Sequence, residues 1–487
     1  MTLIPLAIPP GIYANGTEFQ ASGRWYDGSL VRWVDGTMQP VGGWTELDDE
    51  GTAAPRGMHA WRDLSGNRRY AFGTYSELIA ITGGSVSDIT PAGFVQGTED
   101  AEQNTGYGGG AYGFEAYGVT RADAGGYGEA ASWSIDNWGE DLVACCTSDG
   151  RILTWDLAPA GVAAAVSGAP TGCVGLVVTE ERFLFALGAG GNPRLVKWSD
   201  REDNTTWVAS AENEAGDLEL QTTGQIQLGI RTRGQALILT DHDAHAATYQ
   251  GPPFVYGFER VGSACGAVSR HCAAAVDAGV FWMGERGFFR YSGGAVETIA
   301  CDVLDWVTTN INSEQRSKVC AVSNAQFGEI WWFFPQGEEN DSYVTLNYRE
   351  GHWSKGSLAR TSGVDRGVYQ SPIWAAPDGK TYTHESGQDR GTETIFAETG
   401  PISLGNGDQT MGVTMLYPDE RTGGQVTATF KARFYPNDTE RNYGPYSLDE
   451  PTPVRFSGRQ IRMRINGTEA DWRVGTMRVD VTVRGKR

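Results

Sequence analysis

Between about residue 50 and residue 390 one loose unit recurs at intervals of roughly 35 to 50 residues, with two to four short β-rich runs separated by Gly or Asp turns. Periods of this length belong to β-propellers, in which each repeat supplies one four-stranded blade. The stretch HAWRDLSGNRRYAFGTYSELIAITGGSVSDIT, residues 59 to 90, has the dimensions of a blade. It reads as a strand ending at Trp61, a polar turn, RRYAFGT, a second turn, ELIAIT, then Gly83-Gly84 and a further strand. Similar units are SWSIDNWGEDLVACCTSDGRILTWD, GLVVTEERFLFALGAGGNPRLVKWSD, IQLGIRTRGQALILTDHDAHAATYQ and AAAVDAGVFWMGERGFFRYSGGAVETI, followed by SKVCAVSNAQFGEIWWFFPQGEENDSYVTLNY and the shorter PIWAAPDGKTYTHES. The expected fold is all-β, a propeller-like array of six or seven blades. The repeats share pattern rather than residues, and a stacked β-sandwich satisfies the same pattern.

The flanks differ from the array. Residues 1–50 read as an N-terminal β-hairpin segment, because Asp35-Gly36 in LVRWVDGTMQPV suits the positive φ angles of a two-residue turn. That turn sets Trp33 opposite Met38, a cross-strand pair that contributes up to about 1 kcal/mol. From about Gly391 to Arg487 the long alternating runs QVTATFKARFYP, RQIRMRIN and MRVDVTV predict a separate C-terminal β-sandwich, leaving 51–390 as the propeller. One helix is expected in DVLDWVTTNIN, where Val303, Trp306, Val307 and Ile311 share a face. A Gly/Tyr-rich insertion at about 104–130 interrupts the first blades and carries Tyr107, Tyr112, Tyr117 and Tyr127. It is either a loop that orders against a neighbouring molecule or a surface loop that touches nothing.

Charge narrows the function. With 39 Lys and Arg against 60 Asp and Glu the net charge is −21, so the average surface repels nucleic acid and gains nothing from counterion release. The stretch from Pro451 to Arg487 departs from this, with nine Arg or Lys against three Asp or Glu. It is either a face for an acidic partner or a solvated strand face. The seven cysteines, Cys145, Cys146, Cys173, Cys265, Cys272, Cys301 and Cys320, include no C-x-x-C pair and read as small buried hydrophobes in a reducing compartment. No run approaches 18 apolar residues, so no membrane-spanning segment is expected. The opening MTLIPLAIPPG lacks a basic n-region, which points to a protein folded in cytoplasm.

Catalytic patterns fail one by one. TSDGRILTW, residues 147 to 155, resembles an Asp-box turn, but Asp149 and Gly150 are adjacent and suit a hairpin turn. Glu285, Glu329 and Asp341 lie near strand ends, yet no spacing singles out two of them as the opposed carboxylates of a glycosidase. In DHDAH, Asp241, His242, Asp243 and His245 lack the helical context of a zinc face and read as a polar turn. Neither a phosphate loop nor a G-x-S-x-G elbow occurs. The expectation is therefore no enzyme activity, no catalytic residue, no metal site and no cofactor.

The aromatic blocks carry more information. NGTEFQASGRWYDGSLVRWVDGTMQPVGGW, the Tyr-Gly loop, FFRYSGGAVETIACDVLDWVTTNINSEQRSKV, NAQFGEIWWFFPQGEENDSYVTLNYREGHWSKGSLART and GRQIRMRINGTEADWRVGTMRVDVTVRGKR together resemble structural tail proteins of bacteriophages. The nearest functional type is the tail nozzle of short-tailed phages, similar to packaged-DNA stabilisation proteins. The resemblance spans most of the chain in patches, none of which is a formal signature. It implies a propeller with added β-domains, arranged as a homo-hexameric ring below the portal and its adaptor, with other tail proteins such as a fibre, needle or tip as neighbours. Such a ring sits in the tail of the virion, is assembled in the host bacterial cytoplasm, retains the packaged genome and conducts it on ejection. DNA passes through it without specific binding, and an acidic wall suits that passage. Ring contacts bury aromatics and pair exposed strand edges, so the candidate subunit-interface residues are Tyr107, Tyr112, Tyr117 and Tyr127 with Arg462, Arg464 and Arg473. The alternative is a tail-associated receptor- or polysaccharide-binding β-protein whose exposed Trp and Tyr stack on sugar rings. A bacterial scaffold propeller is a third reading, because propellers host many functions.

Overall fold

The middle strands of the repeats are continuous apolar runs, such as Ile330-Trp331-Trp332-Phe333-Phe334, and every residue of the strand Glu329–Pro335 is buried. A strand reads this way when both faces of its sheet are covered. In a propeller each blade is covered by the blade on either side. The computed structural model, which describes residues 2–48, 51–102, 128–158, 160–403, 409–422 and 424–485, has seven such blades.

Each blade is a four-stranded antiparallel sheet, and in blades 1 to 6 the strands follow sequence order. Their innermost strands are Met58–Arg62, Trp133–Trp138, Gly175–Val178, Ile226–Thr232, Ala273–Val276, Cys320–Asn324 and Ser362–Val364 for blades 1 to 7. These lie side by side around a closed ring, the last against the first. Closure is not local. Blade 7 contains only Ser362–Val364, Ile373–Ala375 and Thr381–His384 from its own stretch, and its outermost strand is Trp44–Asp48, paired through Thr45 with Thr383 and Trp44 with His384. The expected helix occupies Leu304–Asn310 after blade 5, where Trp306 meets Phe334 edge-on with ring centroids 5.5 Å apart.

The hairpin forms with the expected register, Trp33 opposite Met38, and both side chains are 2% exposed. Asp35 and Gly36 take φ of 50° and 76°. The first 50 residues also supply strands to other units. Besides Trp44–Asp48, Thr2–Pro5 pairs with Arg478–Gly485 and Trp25–Ser29 pairs with Phe396–Thr399. These join two sheets built from the C-terminal strands. One runs Thr2–Pro5, Arg478–Gly485, Thr410–Tyr417 and Thr452–Gly458. The other runs Trp25–Ser29, Phe396–Thr399, Gln460–Gly467, Val426–Arg433 and Arg441–Ser447. Their inner faces meet, with Phe430 and Phe456 rings 5.1 Å apart, and Val413, Ile461, Ile465 and Val479 fully or almost fully buried.

Blade 6 carries this unit. The Leu30 N–H donates to Tyr343 Oη at 2.7 Å and the Ile12 N–H donates to the Trp353 carbonyl at 2.7 Å. Arg32 reaches from the hairpin into a buried triad, its Nη2 2.9 Å from Glu329 Oε2 and 2.6 Å from Glu385 Oε1. The guanidinium also stacks over the Phe327 ring at 3.8 Å.

Candidate functional site

An innermost strand has no strand partner on its axial edge, so side chains must satisfy the backbone groups facing the axis. Blade 2 does this for blade 3: Ser134 Oγ accepts from the Leu176 N–H at 3.1 Å and donates to the Leu176 carbonyl at 2.8 Å, and Asp136 Oδ2 accepts from the Val178 N–H at 3.1 Å. Arg270, just before the first strand of blade 5, donates through Nη1 to the carbonyls of Ile226 and Gln227 at 3.3 and 3.2 Å. His59 Nε2 lies 2.9 Å from Asn137 Oδ1. Between these strands is an axial cavity of about 310 Å³, bounded by the inner strands of blades 1 to 5. Its polar lining includes His59, Asp136, Gln227, Arg231, Arg270 and His271. Burial, reinforced by the nearby guanidiniums of Arg270 and Arg56, lowers the pKa of His271 to about 4, so its imidazole is neutral at pH 7.

Ion pairs gather where the inner strands begin. Lys318, with a fully buried side chain, lies 2.6 Å from Glu339 Oε1, pairs with Asp100 and donates to the Glu338 carbonyl at 2.6 Å. Arg56 also pairs with Glu339. Gln315 holds Ala101 through both backbone groups, accepting from its N–H at 2.9 Å and donating to its carbonyl at 3.1 Å. Glu129 pairs with Arg270 at 3.0 Å, and the Ala130 N–H donates to Ser317 Oγ at 3.4 Å. Residues 98–102 and 128–131 belong to the connection between blades 1 and 2, yet they are tied to the entrances of blades 5 and 6. They are also tied together, by the Gly128 N–H to the Glu102 carbonyl at 2.7 Å and the Ala131 N–H to the Thr98 carbonyl at 2.9 Å. This stem carries the Gly/Tyr-rich insertion; Tyr107, Tyr112, Tyr117 and Tyr127 lie outside the described residues.

The three candidate arginines do not form one patch. Arg462 and Arg464 project from the strand Gln460–Gly467 and are engaged within the chain. Arg462 pairs with Glu18 at 2.8 Å and with Glu398, and Arg464 pairs with Glu398 at 3.3 Å while stacking over the Phe396 ring at 3.6 Å. Glu398, 3% exposed, also takes Lys431 at 2.7 Å. Arg473 is exposed between buried Trp472 and Val474, and its carbonyl accepts from the Arg421 N–H. The basic excess after Pro451 is partly balanced by acids that lie earlier in the chain.

The other residues singled out in the sequence are dispersed. Asp149 and Gly150 make the turn between Asp141–Cys146 and Ile152–Trp155, with Gly150 at φ 69° and the Asp149 carboxylate held by Arg151 and the Val95 N–H. Glu285 is exposed and pairs with Arg316. Glu329 is buried between Arg32 and the Trp331 indole N–H, and burial raises its pKa. Asp341 accepts from the backbone of Gln336 and Gly337. Asp241 and His242 pair in an exposed turn, whereas Asp243 accepts from Thr222 and Thr240 and lies 3.1 Å from buried His245. Among the described residues no group of three His, Cys, Asp or Glu converges as for a metal ion. All seven cysteines are buried, and burial pushes the thiols of Cys173 and Cys320 up to about 12.

Arg56, Arg270 and Lys318 were not legible as site residues. Each stands two or three positions before an innermost strand, in PRGMHAW, SRHCAAAV and SKVCAV, and that shared position emerges only once the blades are phased.

No family profile matches the chain, and no curated protein matches it. Among solved structures it is similar to virginiamycin B lyase from Staphylococcus aureus, at 8% identity over 70% of this chain and 98% of that one, with a TM-score of 0.45. It is also similar to BamB from Moraxella catarrhalis, at 12% identity over 71% and 97% of the two chains, with a TM-score of 0.36. Likenesses of this order say nothing of activity.

Proposed function

We propose that this chain is a structural protein of a bacteriophage tail, the nozzle subunit of a homo-hexameric ring around the DNA exit channel. The reading rests on the sequence resemblance, and one observation carries it further: the acidic excess belongs almost wholly to the propeller and the segment before it. Of the 60 acidic residues 48 precede Gly391, against 26 of the 39 basic ones, which leaves the stretch from Gly391 onward close to neutral. A wall made of the propeller side repels phosphate and leaves the genome free to slide.

The axial cavity of one propeller, about 310 Å³, is not the conduit, because a duplex has a major groove alone about 12 Å wide. A passage for DNA therefore runs between subunits, and head-to-tail contacts that close into a ring supply one. The polysaccharide-binding alternative needs exposed aromatic platforms, and 14 of the 16 tryptophans are buried. The test is electron microscopy of the purified protein and of particles that carry it. A six-fold ring at the tail tip is the expected result. A monomer at assembly concentrations, absent from particles, overturns the reading.

A further inference from the structure

The basic excess of the C-terminal stretch is neutralised only in part. Arg455, Arg478 and Arg484 are exposed, and no carboxylate among the described residues engages them. They share one surface. In the sheet that runs Thr2–Pro5, Arg478–Gly485, Thr410–Tyr417 and Thr452–Gly458, buried Val479 and Val481 alternate with Arg478 and Asp480, and buried Val454 and Phe456 flank Arg455. Successive side chains of a strand point to opposite faces, so Arg455 and Arg478 stand on the face turned away from the sandwich core. Arg484 lies there too, with its guanidinium over Gly412, where any Cβ would strike it. Asp480 is the one acid on these four strands. Beside it Leu3 is 48% exposed, and Tyr417, opposite Arg478, is 37% exposed.

The complementary charge gathers at blade 3. Residues 199–220, its outer loop and outermost strand Gly216–Glu219, hold seven acids against the single base Arg201. Asp200, Asp203 and Glu214 accept local hydrogen bonds, and Glu219 pairs with Arg194 at 2.5 Å. Glu202, Glu212 and Asp217 are exposed and meet no cation among the described residues. Val208 and Leu218 stand among them, 76% and 36% exposed. The two surfaces lie on different flanks: the sandwich rests on blade 6, and blade 3 is three places away, the widest separation in a ring of seven.

We propose that the outward face of this C-terminal sheet docks on the blade 3 edge of a second copy of the chain, placing Arg455, Arg478 and Arg484 against Glu202, Glu212 and Asp217. This rests on the ring reading and names the surfaces that build the ring. Two unlike patches on separated flanks give a head-to-tail contact, the kind that closes into a ring when the rotation per subunit allows it. Leu3 and Tyr417 meet Val208 and Leu218 at the centre of the contact, where apolar burial supplies affinity. The charges around them set orientation and reject like-to-like pairing of two sheets or two blade edges.

Sedimentation velocity of the full chain tests this with two charge-reversed variants. One combines Arg455→Glu, Arg478→Glu and Arg484→Glu; the other combines Glu202→Lys, Glu212→Lys and Asp217→Lys. Each variant alone is expected to associate at least about tenfold more weakly than the parent, because both of its flanks then carry the same sign. An equimolar mixture of the two is expected to recover assembly, since each then offers the other an opposite charge at both flanks. Raising the salt weakens the parent assembly in the same experiment. All six side chains are exposed and the two sets lie in different units, so a misfolded variant leaves the other informative. A parent that assembles while both variants assemble equally well overturns the contact and leaves the ring reading standing. Loss of assembly in both variants without recovery in the mixture overturns the pairing of these two surfaces. A parent that stays monomeric overturns the contact and the ring together.

Discussion

Replacing Arg32 by Met removes the one cation from a triad in which Arg32, Glu329 and Glu385 side chains are 3%, 4% and 6% exposed. The two carboxylates then face each other without their shared partner, although Trp331 and Asn324 still donate to them. Removing one partner of a buried pair costs about 3–5 kcal/mol. At about 1.4 kcal/mol per factor of ten, the equilibrium for opening the hairpin at Val31–Pro40 rises by roughly two to three and a half orders of magnitude. The loss depends on pH. Burial already raises the pKa of Glu329 against the pull of Arg32, and without Arg32 it rises further. A carboxyl held above its unfolded value binds its proton more tightly when folded, so its contribution to stability is present at low pH and lost as pH rises through the folded pKa. The deficit of Arg32→Met is therefore largest at pH 7 and shrinks as pH falls towards the ordinary glutamate value of 4.5. Native-state proteolysis with the cut mapped to the hairpin, on variant and parent at pH 7 and pH 5, measures it. Adding Glu329→Gln and Glu385→Gln restores most of the loss at pH 7. A loss below about 1 kcal/mol at pH 7, or one that does not change with pH, refutes this account of the triad.

Two further outcomes follow from packing and from the stem. Trp331→Ala empties a 1% exposed site packed against Tyr343, Trp374 and Phe333, and is expected to destabilise the chain by about 3–5 kcal/mol, read as a fall in the thermal unfolding midpoint by circular dichroism. Deleting 103–127 joins Glu102 to Gly128, which already share a 2.7 Å hydrogen bond, so the unfolding midpoint is expected to stay within about a degree of the parent while light scattering shows loss of the ring. An unchanged oligomer in that deletion removes the insertion from the assembly contacts.

The middle strands were legible because a blade buries both faces of its sheet, and runs such as LVAC, LFAL, ALIL and IWWFF record that in consecutive residues. Blade number was less legible. Blade 2 ends on a strand of only two residues, Ala164–Ala165, and blade 7 borrows Trp44–Asp48 from the far end of the chain, so neither shows four runs in its own stretch. The basic C-terminal stretch misleads for a related reason: Glu18 and Glu398, which engage its arginines, are remote in sequence.

What the sequence determined alone is what neighbouring residues decide: β-class, the size of the repeat, and the Trp33–Met38 register set by the Asp35-Gly36 turn. Tertiary structure decided how the ring closes, which charges are buried as partners, and that basic residues before three separated inner strands meet at one end of the axis. Strand patterning is written locally in side-chain alternation and turn residues. Closure and charge pairing depend on residues hundreds of positions apart, which only the assembled blades bring within hydrogen-bond distance.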